Sequence, residues 1–301
     1  MAGRRTNELI TRKVMFAVSA VTALIVLFMT LGLIERSTLI VETIPLRDLL
    51  FSGTWNPDQG EFGFAPFIIG TLYVTGLAMV LAIPPSILMA VYLAEYAPKR
   101  VRSIVKPLVD VLAGTPSVVC GLWGVLLIVP LIRDYLAPLV GIETTGYSVL
   151  AGGLVLAIMV CPIIVSITDE VIRAVPKAIK EASLAVGATK WQTIKHVVVR
   201  SAFTGIIAAI ILGFGRAFGE TMAVLMVVGN VPAIPNSIFA PAYPIPALIA
   251  NDYGEMLTIP LYESALMFAA FLLLVIVFAF SVAASILLRG IKRKYVLEQA
   301  N

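Results

Sequence analysis

Apolar and polar positions along this chain alternate in long blocks, not within short elements. Apolar runs of about 20 residues, enough to cross about 30 Å of hydrocarbon, fall at 14–34, 67–93, 108–132, 148–168, 203–228 and 262–288. They predict an all-α integral membrane protein with six transmembrane helices. Pro116, Pro130 and several glycines interrupt the third run, and the pair Pro84-Pro85 predicts a kink in the second. The longest charged insert, at 169–202, reads as a helix-turn-helix hairpin. Pro176 suits the first helical position. Ala178, Ile179, Ala182, Ala185 and Val186 then share one face, and Lys177, Lys180 and Glu181 the other. Gly187 stands where a left-handed cap is needed. Thr189 and Gln192 have capping-box spacing, so a second helix is expected to start at Lys190. The small residues Ala182, Ser183, Ala185 and Gly187 fit either a hairpin lying on the membrane surface or one that lets a partner surface approach closely.

Two smaller elements are expected outside the spans. Leu46 to Phe51 reads as a short interfacial helix in the loop 35–66, and Pro246 to Met256 as a short surface or re-entrant helix in the loop 229–261. Lys106-Pro107 is read as the lead into the third span, and Ala113-Gly114-Thr115-Pro116-Ser117 as a break at membrane depth. Such a break needs neighbouring protein or a wet cavity to satisfy its backbone. It serves as a structural kink or as a lining of a pathway, with Thr115 and Ser117 as the hydroxyls.

Composition agrees with this division. Hydrophobic residues make up 59% and charged residues 13% of the chain, too few charges to cover a soluble core of this length. Segments 1–13, 94–107, 169–202 and 289–301 hold 18 of the 22 Lys and Arg, and the alternate segments hold three. By the positive-inside rule both termini and the hairpin are expected in the cytoplasm. The net charge of +4 then reflects topology, and nucleic-acid binding need not be invoked. Residues 1–66 divide off as a cytoplasmic segment, first span and external loop, 67–288 as the main transmembrane domain, and 289–301 as a cytoplasmic tail. The first span follows four basic residues and is too long for a cleavable signal core, so it is read as a retained anchor. Cys120 and Cys161 lie in apolar runs without metal-ligand spacing, and His196 has no nucleophile or carboxylate constellation. No metal, cofactor or catalytic residue is expected.

The hairpin carries E-A-S-x3-G at 181–187 with an aliphatic residue, Val197, ten positions after the glycine. This resembles the E-A-A loop of permease subunits of bacterial ABC importers. The resemblance implies the type I importer permease fold and a hairpin that docks on an ATPase subunit through Ile179, Glu181, Ala182, Ser183, Ala185 and Gly187. Ser183 replaces a third small residue, and Arg200 stands where the family pattern usually has proline, which leaves the end of the second helix open.

Only the fifth run carries a charge pair deep within it, in G-F-G-R-A-F-G-E-T at 213–221. Arg216 lies about 13 residues, roughly 20 Å, into a helix counted from Phe203. A charge at that depth usually faces a bundle interior or a wet cavity. Glu220 is expected on the same face, one turn on. One reading is a structural ion pair. The other is an anion pathway, in which a guanidinium grips two oxyanion oxygens, Gly213, Gly215 and Gly219 make room, and Thr221 adds a hydroxyl. A carboxylate there would accept the O–H that phosphate retains near neutral pH and sulfate lacks.

Residues 213–230, with P-S-V-V-C-G-L-W-G at 116–124, V-I-R-A-V-P at 171–176 and L-I-A-N-D-Y-G-E at 248–255, resemble the PstC-type permeases of phosphate-specific ABC importers. The likeness runs from about residue 45 to the C-terminus. It implies a bacterial inner-membrane subunit paired with a PstA-type permease, two copies of a cytoplasmic ATPase and an external phosphate-binding protein. No G-x4-G-K-[S/T] phosphate loop occurs in the chain, so ATP hydrolysis by that route falls to another subunit. The alternatives are a secondary anion transporter with Glu220 as proton relay, or an ABC permease for another oxyanion. An integral membrane enzyme has no paired carboxylates or Ser/His constellation to support it.

Overall fold

A computed structural model describes residues 2–254 and 259–300, with side chains described for 11–254 and 259–290. Glu255 and Met256, which fall in the last motif and the second external helix predicted above, lie outside the described residues. The first span is α1 (Ala2–Arg36), continued by α2 (Thr38–Thr43) and followed by the short helix α3 (Leu46–Phe51), where the sequence predicts it. A small antiparallel hairpin, β1 (Trp55–Asn56) and β2 (Glu61–Phe62), sets Trp55 opposite Phe62. The second span, α4 (Ala65–Val91), runs through Pro84-Pro85 as one helix and ends in a π-helical turn at Tyr92–Tyr96. At these prolines the ladder must lose N–H donors. The Ser86 hydroxyl bonds Ala82 O (2.6 Å) beside them and also reaches the Cys161 sulfur across the helix contact (2.9 Å).

The third span differs from the prediction. Lys99–Ala113 is a separate amphipathic helix, α5, with Pro107 inside it, and the chain breaks at Gly114–Pro116. The span proper covers Ser117–Leu139: α6 (Ser117–Trp123), α7 (Val129–Leu131) and α8 (Ala137–Leu139), joined by π-helical turns. Apolar content alone merged the apolar face of α5 with this span. The break that the sequence marks is therefore the start of the crossing, not a kink within it.

The fourth span, α9 (Val149–Arg173), is the centre of the bundle and the most buried of the six. Its Gly152 and Gly153 lie under Val74 and Leu77 of α4, where an added Cβ would come within 3.0–3.2 Å of those side chains. The two helices pack closely for that reason. Next come α10 (Lys177–Ala185), α11 (Lys190–Thr193) and α12 (Val199–Gly219); α11 passes into α12 through a π-helical turn at Ile194–Val198. The second helix of the hairpin and the fifth span are thus one element. With Arg200 in place of a proline, nothing ends the helix there.

The chain leaves helix at Glu220 (ψ 124°) and resumes in α13 (Met222–Val227). Outside the bundle, α14 (Ile245–Asp252) packs beside α15 (Pro260–Ala300), the sixth span. One apolar cluster at that end joins Leu49, Phe64, Phe67, Ile245, Leu248 and Phe268, with Trp55 edge-on to Phe67 (4.7 Å between centroids). Around it, Tyr262 donates to Asp252 (2.8 Å) and Asn251 donates to Tyr243 (3.0 Å). Burial pushes the Tyr243 phenol up to about 12. By contrast, no residue of the most apolar stretch of α1 is buried, as expected of a helix facing lipid.

Candidate functional site

The fifth span presents two different faces. Ile206, Ala209, Gly213 and Ala217 are buried against the bundle, and an added Cβ at Gly213 would stand 3.0 Å from Val160 and Ile164. Gly213 therefore serves packing and does not open a path. Gly215 and Gly219 lie on the other side, with no atom within 4 Å of where a Cβ would sit. Leu212, nearer the start of α12, is 57% exposed. Two of the three glycines thus leave one side of the helix thin and open.

Arg216 sits in the last turn of α12. The unpaired carbonyls and the negative end of the helix dipole favour a cation there, which offsets part of the cost of a charge within a membrane span. Its Nε is buried and has no hydrogen-bond partner. Buried polar nitrogens are nearly always paired, and an orphan on a guanidinium marks a position that can still accept an anionic partner.

The predicted same-face pair is not formed. The i, i+4 rule requires continuous helix, and the helix stops at Gly219, so Glu220 stands on extended backbone. Among the described residues no ion pair joins Arg216 to Glu220. Glu220 instead lines a small cavity with Thr71 and Thr75 of α4, Phe218, Pro244 and Pro246. Thr221 closes the break locally, its hydroxyl reaching Gly219 O at 3.4 Å.

Thr115 and Ser117 stand at the N-terminal end of the third span. The Thr115 hydroxyl is taken by Val111 O (3.1 Å), and no hydrogen bond connects either residue to Arg216 or Glu220 among the described residues. Cys120 on α6 packs against the cluster that holds Ala223 of α13, just past the break. It also borders, with Thr115, an apolar groove of about 420 Å³. Ser117 and Cys120 are three apart on one helix, so they share a face, and that spacing was the available signal for Cys120. The structure thus keeps Arg216 and Glu220 beside the break, with Cys120 packed toward α13, Ser117 at the start of α6 and Thr115 before it.

The hairpin has the predicted local chemistry. Gly187 is left-handed (φ +91°), and Thr189 and Gln192 form a complete capping box. No residue of α10 is buried. Glu181, Ala182, Ala185 and Gly187 are exposed, as are Ile179 (44%), Val186 (85%) and Trp191 (57%), so an apolar surface faces away from the bundle. Two assignments change. Lys180 turns inward to pair with Glu95 at the end of the second span, and the Ser183 hydroxyl meets that of Thr193 at 3.0 Å. Lys190 lies over the Tyr96 ring (4.4 Å), a cation–π contact. The hairpin is therefore fastened to the C-terminal end of the second span by one ion pair and one ring contact.

Residues 86–295 match the family described as binding-protein-dependent transport system inner membrane component. The chain is 38% identical over 258 residues to the phosphate transport system permease protein PstC of Xylella fastidiosa (strain 9a5c), covering 81% of this chain and 79% of that protein. It is 36% identical over 244 residues to the probable phosphate transport system permease protein PstC of Methanocaldococcus jannaschii, covering 76% and 77%. The chain belongs to the binding-protein-dependent transport permeases, among the PstC proteins. Solved structures give the same fold. A bacterial alginate ABC transporter in complex with alginate pentasaccharide-bound periplasmic protein superposes with a TM-score of 0.62 at 16% identity, over 91% of this chain and 94% of that one. The MetNI methionine ABC transporter, inward facing, gives 0.58 at 18%, over 79% and 99%. The six spans and the hairpin are those of a type I ABC importer permease, a multi-pass transport component of the inner membrane.

Proposed function

We propose that this chain forms half of the translocation pathway of an ATP-driven phosphate importer, with Arg216 as the anion contact within the membrane. The observation that carries the reading is the buried, unpartnered Nε of Arg216 beside the open Gly215–Gly219 side of the fifth span. A guanidinium at a helix C-terminus stays charged at any cellular pH and can grip two oxygens of a tetrahedral anion. Glu220, on extended backbone four residues on, accepts a hydrogen bond from the O–H that phosphate keeps and sulfate lacks. Thr221, Thr115 and Ser117 supply hydroxyls along the same route. The names of the relatives support phosphate as the cargo.

In this reading the second half of the pathway comes from a PstA-type permease, packed against the open side of α12. Two copies of a cytoplasmic ATPase dock on the hairpins through Ile179, Glu181, Ala182, Ala185 and Gly187. Ser183 contributes from behind by holding α10 against Thr193. An external phosphate-binding protein delivers the ion to the outer face. Both termini lie in the cytoplasm, and the chain performs no hydrolysis itself.

The test is the double variant Arg216→Leu with Glu220→Leu in the assembled complex. It removes both charges without stranding either, so assembly is expected to be normal while phosphate uptake is lost. Arg216→Lys is expected to restore only part of the rate, because an ammonium lacks the planar fork. Substantial uptake by the double variant would overturn the assignment.

A further inference from the structure

Thr71 and Thr75 are one turn apart on α4 and both are buried, at 2% and 3% exposure. Their hydroxyls are used differently. Thr71 donates to Phe67 O (2.7 Å) and accepts the Ile245 N–H (2.9 Å), so it caps the entry to α14. Buried helical threonines commonly bond back to the preceding turn in this way. The Thr75 hydroxyl makes no hydrogen bond among the described residues, and it borders the cavity that Glu220 also lines. That cavity measures about 10 Å³, the space of a single water.

We infer that Thr75 is a positioning residue for Glu220, holding its carboxylate through one water shared between α4 and the break in the fifth span. The polar groups fit that role. In this proposal one water is shared by the Thr75 hydroxyl, the Glu220 carboxylate and the second lone pair of Thr71, residues that all line the cavity, within the two to four partners a buried water needs. The remaining wall is apolar: Val74, Leu156, Phe218 and Val224, with Pro244 and Pro246, which have no N–H to offer. A carboxylate on extended backbone has no helical neighbour to fix its direction. The bridged hydroxyl supplies that direction from a second element, leaving the other carboxylate oxygen to read the phosphate O–H. This rests on the role proposed for Glu220 above.

The experiment compares Thr75→Val and Thr75→Ser with the wild type and with Glu220→Gln in the complete reconstituted complex. Two quantities are read: the infrared carboxylate band that disappears in Glu220→Gln, and the ratio of phosphate to sulfate uptake. Valine matches threonine in shape and lacks the hydroxyl. It is expected to shift the band and lower the ratio roughly three- to tenfold, the worth of one hydrogen bond. Serine is expected to keep both near wild type. An unchanged band and ratio in Thr75→Val would overturn the positioning role, and so would a serine variant that behaves like valine, since packing would then be the cause. The two failures separate. A silent Thr75→Val beside a defective Glu220→Gln overturns the positioning role alone. A Glu220→Gln that transports and discriminates normally overturns the reading beneath it.

Discussion

Asp169 is 1% exposed, and both of its oxygens are held by Arg102, at 3.0 and 2.6 Å. The same guanidinium donates to Leu93 O (2.9 Å), so one side chain ties α5, the end of α4 and the end of α9 together. Arg102→Ala would leave a buried carboxylate without its partner, which typically costs about 3–5 kcal/mol. Thermal unfolding of the detergent-solubilised complex should show a loss at the lower end of that range, because the arginine side chain is 24% exposed. A variant as stable as the wild type would show that the pair is solvated. The sequence drew attention to Arg216 and not to Arg102, for a physical reason. A charge inside an apolar run is conspicuous, whereas Arg102 stands among the other cations of the polar segment 94–107 and its partner is 67 positions away. Cys120 is inconspicuous for a similar reason: only the packing of α6 against α13 brings it toward the break.

Elements with local signals were legible, and those defined by their ends were less so. The turn of the hairpin is legible to within a residue because glycine and the capping box act within one turn: Gly187 supplies the left-handed residue, and Thr189 and Gln192 cap each other. The start of the third span and both ends of the fifth differ from the apolar runs, because apolar content does not record helix continuity. The apolar run of the third span begins inside α5, whose apolar positions occupy only one face. The apolar run of the fifth continues past Glu220, although Gly219 followed by two polar residues is a stop signal. The hairpin also yields a prediction. At Gly187 there is space for a side chain but φ is +91°, so any substitution strains the backbone by about 1–3 kcal/mol. Gly187→Ala carries the strain with little bulk, and Gly187→Val carries both. If the exposed surface docks an ATPase, ATP-driven uptake should be reduced in the alanine variant and abolished in the valine variant, with the membrane fold intact in each. Normal uptake by Gly187→Val in an expressed complex would exclude docking at this turn.

Across the whole molecule, charge and fold point the same way. The segments holding 18 of the 22 basic residues are joined by six spans into a single alternating path. A reporter fused after Arg289 should therefore report the cytoplasm, and one inserted near Pro241 the exterior. The opposite result at either site would reverse the orientation and place the hairpin out of reach of ATP. The central claim is that this permease couples ATP hydrolysis on a partner to the passage of phosphate. It is tested most directly by measuring ATP hydrolysis and ion uptake together in proteoliposomes containing the assembled transporter and its external binding protein. Phosphate, sulfate and molybdate would be supplied in turn. Phosphate is expected to stimulate hydrolysis and to accumulate, with sulfate and molybdate doing neither. Phosphate accumulation that proceeds without ATP, or hydrolysis stimulated equally by sulfate, would contradict the account.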